Sequence, residues 1–558
     1  MFIMMKKSTK RILAGIGVVV VLALIIWGIK FQFSIPVITG ETLLKYVPAQ
    51  TVQKEPLIGV IGVNDLSGKY GALKNTNFFK ALEQSNIYKE MELLQETKEE
   101  KQELDIDQQD HRITFETVME LIGKNTVAGV YRKDDLKPDY IIVTSFQDIT
   151  GIREKLFDRL SDDEDVVEVY RTRGIQQFSE YGFYTIFEGN IIAASTLDLV
   201  KQSMDLKAGE AKIGNFNTKF DWVEDKMDRR ADGFVFINDN NGLRYLESIY
   251  PKETGQEVLR NFLGTNTYKE YNFDKGLEIK SYSYRKEKNE PKKSRESNTI
   301  DLIPENPMFA GSINDFSIER KLEDFKDMDL PGLSENVDLE MFDEYIGSEL
   351  GYALLGPSEE SFAQMLPAGI LLIESNKNSS LNHISDLLED SLDIELEKFS
   401  FEGIEYQRGG IPIFMGQELS ICVGALEYKG KSIIAVTSSK NSLEKIIKLK
   451  RGENNSLKDS ASWQEVAGYL PDRYYSFKYA DINSFVEKIG GIAARLILRD
   501  PDLANFLDSE PLTWLSPSGS ITNIDEKFIT VHSYFPIKDL DVESWEEIFD
   551  SAESFVNN

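Results

Sequence analysis

The longest run of hydrophobic residues without a charge lies near the N-terminus. From Ile12 to Ile29 there are 18 consecutive uncharged residues, nearly all of them apolar. As a helix rising about 1.5 Å per residue, this segment nearly spans a hydrocarbon layer about 30 Å thick. Lysines and an arginine precede it, which favours an inside N-terminus and a chain whose bulk lies outside the cytoplasm. The pattern predicts a single-pass protein of a bacterial membrane, with a cytoplasmic stub at 1–11, a transmembrane helix at 12–29 and a juxtamembrane linker at 30–45.

A cleaved secretory signal is the alternative interpretation of the same segment. A signal peptide needs small residues at a cleavage site just beyond its apolar run. The stretch Trp27–Phe33 contains no such small-x-small pattern. We therefore expect an uncleaved signal anchor, and a single membrane pass because no later segment is as long without a charge.

Short blocks of sequence occur twice in the same order along the chain, which is the signature of an internal repeat. One block could recur by chance, but several in one order indicate a duplication. The pairs are Tyr46–Pro48 with Leu302–Pro304, Val63–Ser67 with Ile313–Ser317, Phe187–Ala193 with Tyr428–Ala435, Trp222 with Trp463, Phe234–Phe236 with Tyr475–Phe477, and Asp274–Tyr282 with Asp525–Tyr534.

The duplication predicts the domain boundaries. Lys286–Arg295 is polar, highly charged and contains a proline, as expected of a solvated linker between two copies. The predicted domains are residues 46–285 and 302–537, joined by a charged linker at 286–301. An acidic C-terminal helix or tail follows at 538–558.

Within each copy the hydrophobic pattern alternates between strand and helix periods. Leu57–Val63, Tyr140–Thr144 and Gly369–Ile373 are apolar and rich in β-branched residues, as buried strands are, whereas Phe78–Leu94 has helical spacing. Gly189-Asn190 and Gly430-Lys431 favour hairpin turns. The predicted fold class is α+β: one N-terminal transmembrane helix, then two tandem duplicated domains of antiparallel sheet with helices.

Composition and charge narrow the choice of partners. The net charge of −30 repels phosphate backbones, so we expect no nucleic-acid partner. Cys422 is the one cysteine, which excludes an intramolecular disulfide. Its apolar surroundings, Ile421–Leu426, predict a buried and unreactive thiol.

The opening of each copy carries a family resemblance. An apolar residue and a proline precede a strand that ends in Asn64-Asp65-Leu66-Ser67 or Asn314-Asp315-Phe316-Ser317. This layout resembles the bacterial envelope family called domain of unknown function three-three-five-two, whose members have an N-terminal membrane segment and repeated strand–Asp–helix units. The resemblance covers most of Tyr46–Ile537. The family has no assigned catalytic residues, so the resemblance implies no chemistry.

A search for nucleophiles and nucleotide sites gives weak candidates. Ser442 and Lys445 form an S-x-x-K, and Ser312-Ile313-Asn314 could supply the S-x-N of penicillin-recognising enzymes, but the K-T-G element is absent. Gly430-Lys431-Ser432 resembles the end of a phosphate-binding loop, yet it falls at a predicted hairpin turn rather than before a helix. We expect a structural role for each.

Metal sites are not predicted either. His111, His383 and His532 lie far from metal-ligand spacing. Ile237–Gly242 fails as a calcium loop because Ile237 occupies the position that needs a carboxylate, and Asp162–Asp165 is expected to be a solvated acidic loop. The sequence therefore predicts no catalytic, cofactor-binding or metal-ligating residues.

Three hypotheses for the function remain. The favoured one is a membrane-anchored, non-catalytic extracytoplasmic module that binds a protein or an envelope polymer, with an envelope protein as the expected partner. A structural spacer of the envelope and an extracytoplasmic hydrolase using paired carboxylates are the alternatives. The third stays open because carboxylate pairs come from distant segments and leave no motif.

Overall fold

The structure is a computed structural model in two compact units, the first at 1–84, 88–289 and 527–530 and the second at 85–87, 290–526 and 531–558. It describes residues 41–65, 75–84, 125–131, 138–145, 166–179, 182–211, 214–228, 231–238, 267–273, 276–285, 291–315, 346–357, 367–376, 380–392, 394–412, 418–490, 516–536 and 540–546.

Ten strands and five α-helices are described in the first unit. The strands are β1 (Leu57–Asn64), β2 (Asn125–Tyr131), β3 (Asp139–Ser145), β4 (Val166–Tyr170), β5 (Arg173–Ser179), β6 (Gly182–Phe187), β7 (Asn190–Ala194), β8 (Gly233–Ile237), β9 (Thr267–Phe273) and β10 (Gly276–Tyr284). The helices are α1 (Glu41–Leu44), α2 (Asn77–Gln84), α3 (Leu197–Ala208), α4 (Phe216–Lys219) and α5 (Asp221–Lys226).

The second unit repeats this sequence of elements. Its strands are β11 (Phe309–Asn314), β12 (Ile346–Pro357), β13 (Pro367–Ser375), β14 (Glu397–Phe401), β15 (Ile404–Pro412), β16 (Glu418–Tyr428), β17 (Lys431–Thr437), β18 (Ser476–Ala480), β19 (Ser518–Ile524) and β20 (Phe528–Pro536). Its described α-helices are α6 (Ser380–Leu392), α7 (Lys440–Lys450), α8 (Ala461–Ala467) and α9 (Ile482–Phe485), with 3₁₀ turns at Thr299–Leu302 and Leu457–Asp459 and a π-turn at Val486–Gly490.

The strands of both units are paired antiparallel, in one order. In the first unit the order across the sheet is β4-β5-β6-β7-β3-β2-β1-β8-β9-β10. In the second unit it is β14-β15-β16-β17-β13-β12-β11-β18-β19, and β20 pairs with β19. Each strand of the second unit therefore corresponds to the strand of the first unit whose label is lower by ten, so that β11 corresponds to β1 and β20 to β10.

Small details of the chain are repeated as well. Asn64 and Asn314 end their strands, and each donates its side-chain N–H to a backbone carbonyl, at 2.5 and 2.9 Å. The aspartates that follow, Asp65 and Asp315, both have positive φ, 52° and 55°. These are the Asn-Asp pairs noted in the sequence, and in both units they turn the chain out of the strand.

A long helix that follows the same hairpin, α3 in the first unit and α7 in the second, covers the sheet in each unit. Thr196 caps α3 and Ser439 caps α7, since each hydroxyl accepts a bond from the backbone N–H three residues on. The covering face of α3 buries Leu199, Val200 and Met204, and that of α7 buries Leu443, Ile446 and Ile447. Burial of these side chains against the sheet forms the core of each unit.

The strand predictions for Leu57–Val63, Tyr140–Thr144 and Gly369–Ile373 are confirmed by β1, β3 and β13. The hairpin predictions need a shift of one residue. The positive φ values fall at Glu188-Gly189 and Lys429-Gly430, and Asn190 and Lys431 already begin the next strands.

The predicted fold class, α+β, is wrong, because it gives helices too large a share of the structure relative to strands. Far more of the described residues lie in antiparallel strands than in helices, which are mostly short because aromatic and β-branched alternation dominates the chain. The prediction of a transmembrane helix, a signal anchor and a single-pass bacterial membrane location is also corrected. No helix within the described ranges is long and apolar enough to cross a membrane. Ile12–Ile29, on which that prediction depended, lies outside the described residues.

Candidate functional site

The hairpin of β4 and β5 forms one edge of the first unit's sheet. Within the described part of the chain, β5 is the strand with which β4 pairs. The two strands are joined by the two-residue turn Arg171-Thr172, in which both residues have positive φ, 49° and 63°. Such a turn matches the twist of a hairpin. It makes Tyr170 and Arg173 the last bonded pair of the ladder.

One face of β4 is fixed to α3 by charged and polar contacts. The Tyr170 hydroxyl donates to the Asp205 carboxylate at 3.0 Å, and the Nε of Arg171 lies 2.6 Å from the same carboxylate. Lys201 on α3 contacts Glu168 at 2.5 Å. Burial and then the hydrogen bond to Asp205 raise the pKa of Tyr170, so the phenol stays protonated and donates at neutral pH. Among the described residues, these contacts hold the hairpin on the side that faces α3.

The other face of β4 is apolar and open. Val167 is 51% exposed and Val169 is 69% exposed. Val169 lies opposite Gly174, which offers no side chain to cover it. Two neighbouring valines thus remain in solvent on a strand that is otherwise well anchored.

The backbone of this edge faces outward at Val169. In an antiparallel ladder, residues alternate between bonding one neighbouring strand and the other. Because Tyr170 bonds to β5 next to the turn, the N–H and C=O groups of Val169 point away from β5, and the ladder then shifts register between Val166 and Glu168, where Val167 has no partner on β5. An edge with free backbone groups and apolar side chains is a template for a further strand.

The counterpart edge in the second unit is protected. The turn Glu402-Gly403 corresponds to Arg171-Thr172, so Ser400 stands where β4 has Val169, and Lys398 stands where β4 has Val166, because Val167 is an extra residue in the ladder. Both are exposed. Lysine on an edge strand is a common device against strand addition. The exposed valines of β4 are therefore a property of this unit's sequence and not a requirement of the fold.

A buried ionic cluster is the second candidate site, and it lies in the second unit. Arg295 is 2.8 Å from Glu374 and 3.6 Å from Glu349, and its Nε donates to Asn314 at 3.0 Å. Lys431 reaches the other oxygen of Glu374 at 2.5 Å. Both glutamates are buried, and they form a pair of carboxylates of the kind that the hydrolase hypothesis requires.

The donors around Glu349 define what this cluster can do. One oxygen accepts from the hydroxyls of Ser297, Thr299 and Ser312, at 2.6, 2.9 and 3.3 Å, and from the backbone N–H of Thr299 at 2.9 Å. Burial pushes the pKa of Glu374 upward, but the hydrogen bonds from Lys431 and Arg295 outweigh it and leave the pKa below its ordinary value. A general acid needs a raised pKa. The arrangement is that of a structural ion-pair network.

The serine candidates are separated by the fold. Ser442 is buried, and its hydroxyl lies 2.8 Å from that of its own helix cap, Ser439. Lys445 is exposed one turn away, so it does not reach Ser442. Ser312 belongs to the Glu349 cluster instead. Lys431 begins β17 and pairs with Glu374, which gives it a structural partner rather than a phosphate.

The remaining sequence candidates are distributed as follows. Cys422 is a free thiol and fully buried. His383 lies on α6 and His532 on β20, while His111 and Asp162–Asp165 lie outside the described residues. In the described ranges no three histidine, cysteine or acidic side chains are grouped to hold a metal ion.

Sequence reasoning missed the two features that matter most here. Arg295 falls in the segment interpreted as a solvated linker, yet it is half-buried and makes two ion pairs. The sequence does contain a signal for Val167 and Val169. In the strand Val166–Tyr170 these two apolar residues stand on either side of the charged Glu168, which is the alternation of apolar and polar residues expected of a strand. What the sequence could not show is that this strand is an edge and that its valines face solvent.

Comparison with known proteins gives no identity for the chain. No family model matches it, and no curated protein does. Among solved structures, crystal forms I and III of TP0453 align with 7% and 8% identity and TM-scores of 0.24 and 0.23. They cover 46% and 48% of this chain and 98% of TP0453. The resemblance to domain of unknown function three-three-five-two therefore stays a prediction.

Proposed function

We propose that this protein is a non-catalytic module for protein binding and assembly, which receives a strand from a protein partner along β4. The observation that carries the proposal is the open edge of β4. There Val167 and Val169 expose apolar side chains, the backbone groups of Val169 face away from β5, and Val167 has no partner on β5. The matched edge β14, in the same topology, has Ser400 in place of Val169 and Lys398 in place of Val166.

Strand addition accounts for both properties of this edge. The partner's backbone satisfies the outward N–H and C=O groups, and its alternate side chains cover the two valines. Each valine moved from this exposure into a contact contributes on the order of 1 kcal/mol. The contacts of Tyr170 and Arg171 with Asp205 hold the edge rigid before binding, which lowers the entropy lost when a strand docks.

Site-specific photocrosslinking in the native cell tests the proposal. Val169→p-benzoylphenylalanine places a crosslinker on the open edge, and Ser400→p-benzoylphenylalanine places the same group at the matched position of β14. We expect a discrete protein adduct from position 169 and none from position 400. The mass of the adduct identifies the partner.

Two results would contradict the proposal. One is the absence of any adduct from position 169 in a chain that is folded by circular dichroism, which would favour the structural-spacer alternative. The other is equal labelling from both positions, because an edge protected by lysine is not expected to receive a strand.

A further inference from the structure

We propose that Lys280 moves between two carboxylates of the first unit, pairing with Glu278 when the buried Glu270 is protonated and with Glu270 when it is ionised. The pair of strands β9 and β10 then contains a pH-sensitive switch. These strands lie at the other end of the first unit's strand order from β4, so the switch goes beyond protein binding at that edge and does not depend on it.

Glu270 on β9 is a fully buried carboxyl group whose two oxygens have different surroundings. Its Oε1 accepts from the hydroxyl of Tyr268 at 3.0 Å and from the backbone N–H of Asp228. Its Oε2 has no hydrogen-bond partner among the described residues. A buried charge with a bare oxygen is costly, whereas a neutral carboxyl group avoids most of that cost. The contacts of Glu270 in this arrangement therefore favour the protonated acid.

Lys280 on β10 is the cation placed to respond when that proton leaves. It is the direct partner of Glu270 in the antiparallel ladder. Such partners lie on one face of the sheet with their Cβ atoms about 5 Å apart. The ammonium of Lys280 nevertheless lies 3.2 Å from Glu278, two residues along β10 and on the same face. Because the lysine stem is flexible, a change of its rotamer is enough to bring the ammonium from one carboxylate to the other.

The other titratable groups around Glu270 cannot replace Lys280. They are Tyr268 on β9, Glu278 and Tyr282 on β10, and Asp228 between α5 and β8. Burial raises the pKa of both phenols, so neither becomes a charged partner at neutral pH. Burial also raises the pKa of Glu270, the hydrogen bonds from Asp228 and Tyr268 oppose this shift, and of the nearby charges Asp228 raises that pKa while Lys280 lowers it.

Ionisation of Glu270 changes which carboxylate attracts Lys280 more strongly. Glu270 is fully buried, whereas the side chain of Glu278 is 22% exposed. The less polar surroundings of Glu270 strengthen its attraction for an ammonium once it is charged. Glu278 keeps the side-chain amide of Asn272 at 3.2 Å when the lysine leaves. Folding stability falls as the pH rises from 4.5 through the raised folded pKa of Glu270, and the move of Lys280 limits that fall.

A double-mutant cycle followed over pH tests the switch in solution. Lys280→Met, Glu278→Gln and the combined variant are compared by hydrogen exchange of the β9 and β10 peptides, in a series from about pH 5 to about pH 9, which starts above the ordinary carboxyl pKa. At the low end we expect the pair to change the opening equilibrium by about threefold beyond the sum of the single variants. This coupling should disappear as the pH rises through the folded pKa of Glu270. In a Glu270→Gln background it should persist across the whole series.

A matched ion pair separates the switch from a general effect of pH. Lys440 and Glu444 on α7 are also 3.2 Å apart. The cycle of Lys440→Met and Glu444→Gln, read from α7 peptides, should give the same coupling throughout the series. A coupling between Lys280 and Glu278 that stays constant or grows with pH in the wild-type background would overturn the switch.

Crystal structures of the unmodified chain at the two ends of the pH series test the switch without any substitution. We expect the Lys280 ammonium beside Glu278 at low pH and beside the Oε2 of Glu270 at high pH. A lysine that stays on Glu278 at both pH values would overturn the proposal. Neither result changes what is expected from the crosslinker at position 169, so the switch and the binding edge succeed or fail separately.

Discussion

In the first unit the residue opposite the strand-end asparagine is another asparagine, whereas the second unit has a glutamate at that place. Asn125 pairs with Asn64, and Glu349 pairs with Asn314. The backbone N–H of Asn125 donates to the hydroxyl of Ser145 at 3.1 Å. The charged version needs Arg295 and a set of hydroxyl donors. One topology therefore accepts either a neutral or a charged residue at this buried position.

The contact between hairpin and helix differs in the same way. In the first unit the hairpin supplies Arg171 and the helix supplies Asp205. In the second unit the hairpin supplies Glu402 and the helix supplies Arg451, at 2.8 Å. The contact is retained while the signs are exchanged, which shows that the fold needs an attraction at this corner and not a particular residue.

A third difference lies inside the sheet. Glu270 on β9 is fully buried opposite Phe234, and its counterpart on β19 is Ile521. One oxygen of Glu270 accepts from the Tyr268 hydroxyl at 3.0 Å and from the N–H of Asp228. Its Oε2 has no hydrogen-bond partner in the described part of the structure. At this position the first unit has the less favourable residue, because a buried carboxylate oxygen without a partner costs free energy that the isoleucine of the second unit does not.

The largest effect is expected from the charged cluster. Glu349→Ala removes one of the two carboxylates that face Arg295 and leaves the hydroxyls of Ser297, Thr299 and Ser312 without this acceptor, so the second unit should lose about 3 kcal/mol or more of unfolding free energy. Asn125→Ala, its counterpart, should cost the first unit about 1 kcal/mol. Hydrogen exchange by mass spectrometry resolves the two units, because peptides of β11–β13 and β1–β3 report on them separately.

The decisive result is which variant increases hydrogen exchange more in its own unit, Glu349→Ala or Asn125→Ala. Faster exchange is expected in the second unit for the glutamate variant, and a much smaller change in the first unit for the asparagine variant. Equal effects would mean that the charged and neutral solutions are equally stabilising, and the distinction between the units would fail.

Glu270→Gln is expected to stabilise the first unit in a manner that depends on pH. Burial raises the pKa of Glu270 in the folded chain above its ordinary value of 4.5. The folded state therefore holds a proton that the unfolded state has released, and wild-type stability falls as the pH rises from 4.5 through the folded pKa. The glutamine variant lacks this loss, so its advantage should be about 1–2 kcal/mol at high pH.

Urea unfolding by circular dichroism at several pH values checks this prediction. The difference between variant and wild type should be small below the ordinary carboxyl pKa, grow as the pH rises, and then level off. Ile521→Gln is the matched variant in the second unit, and it should destabilise at every pH because it buries an amide in an apolar site. A constant advantage for Glu270→Gln would contradict the role of the carboxyl proton.

These contrasts also show what sequence reasoning could reach. Apolar β-branched runs identified β1, β3 and β13, because strand burial imposes its period on consecutive residues. The partners of Glu349 come from segments far apart in the chain, so no local pattern reports them. The exposure of Val167 and Val169 is likewise a consequence of which strand lies at the edge, and strand order is not encoded in the period of any one strand.

The smallest effect concerns the two edge hairpins. Thr172 holds a φ of 63° in the turn between β4 and β5, whereas its counterpart Gly403 holds 78°. A β-branched residue in this conformation is strained, and glycine adopts it freely. Thr172→Gly should therefore stabilise the hairpin by about 1 kcal/mol, and Gly403→Thr should destabilise its own by a similar amount. Slower exchange of the β4–β5 amides in the first variant, with faster exchange of β14–β15 in the second, is the expected pair of results. If Thr172→Gly loosens its hairpin instead, the threonine side chain contributes a contact that outweighs its backbone strain, and the two turns differ in more than conformation.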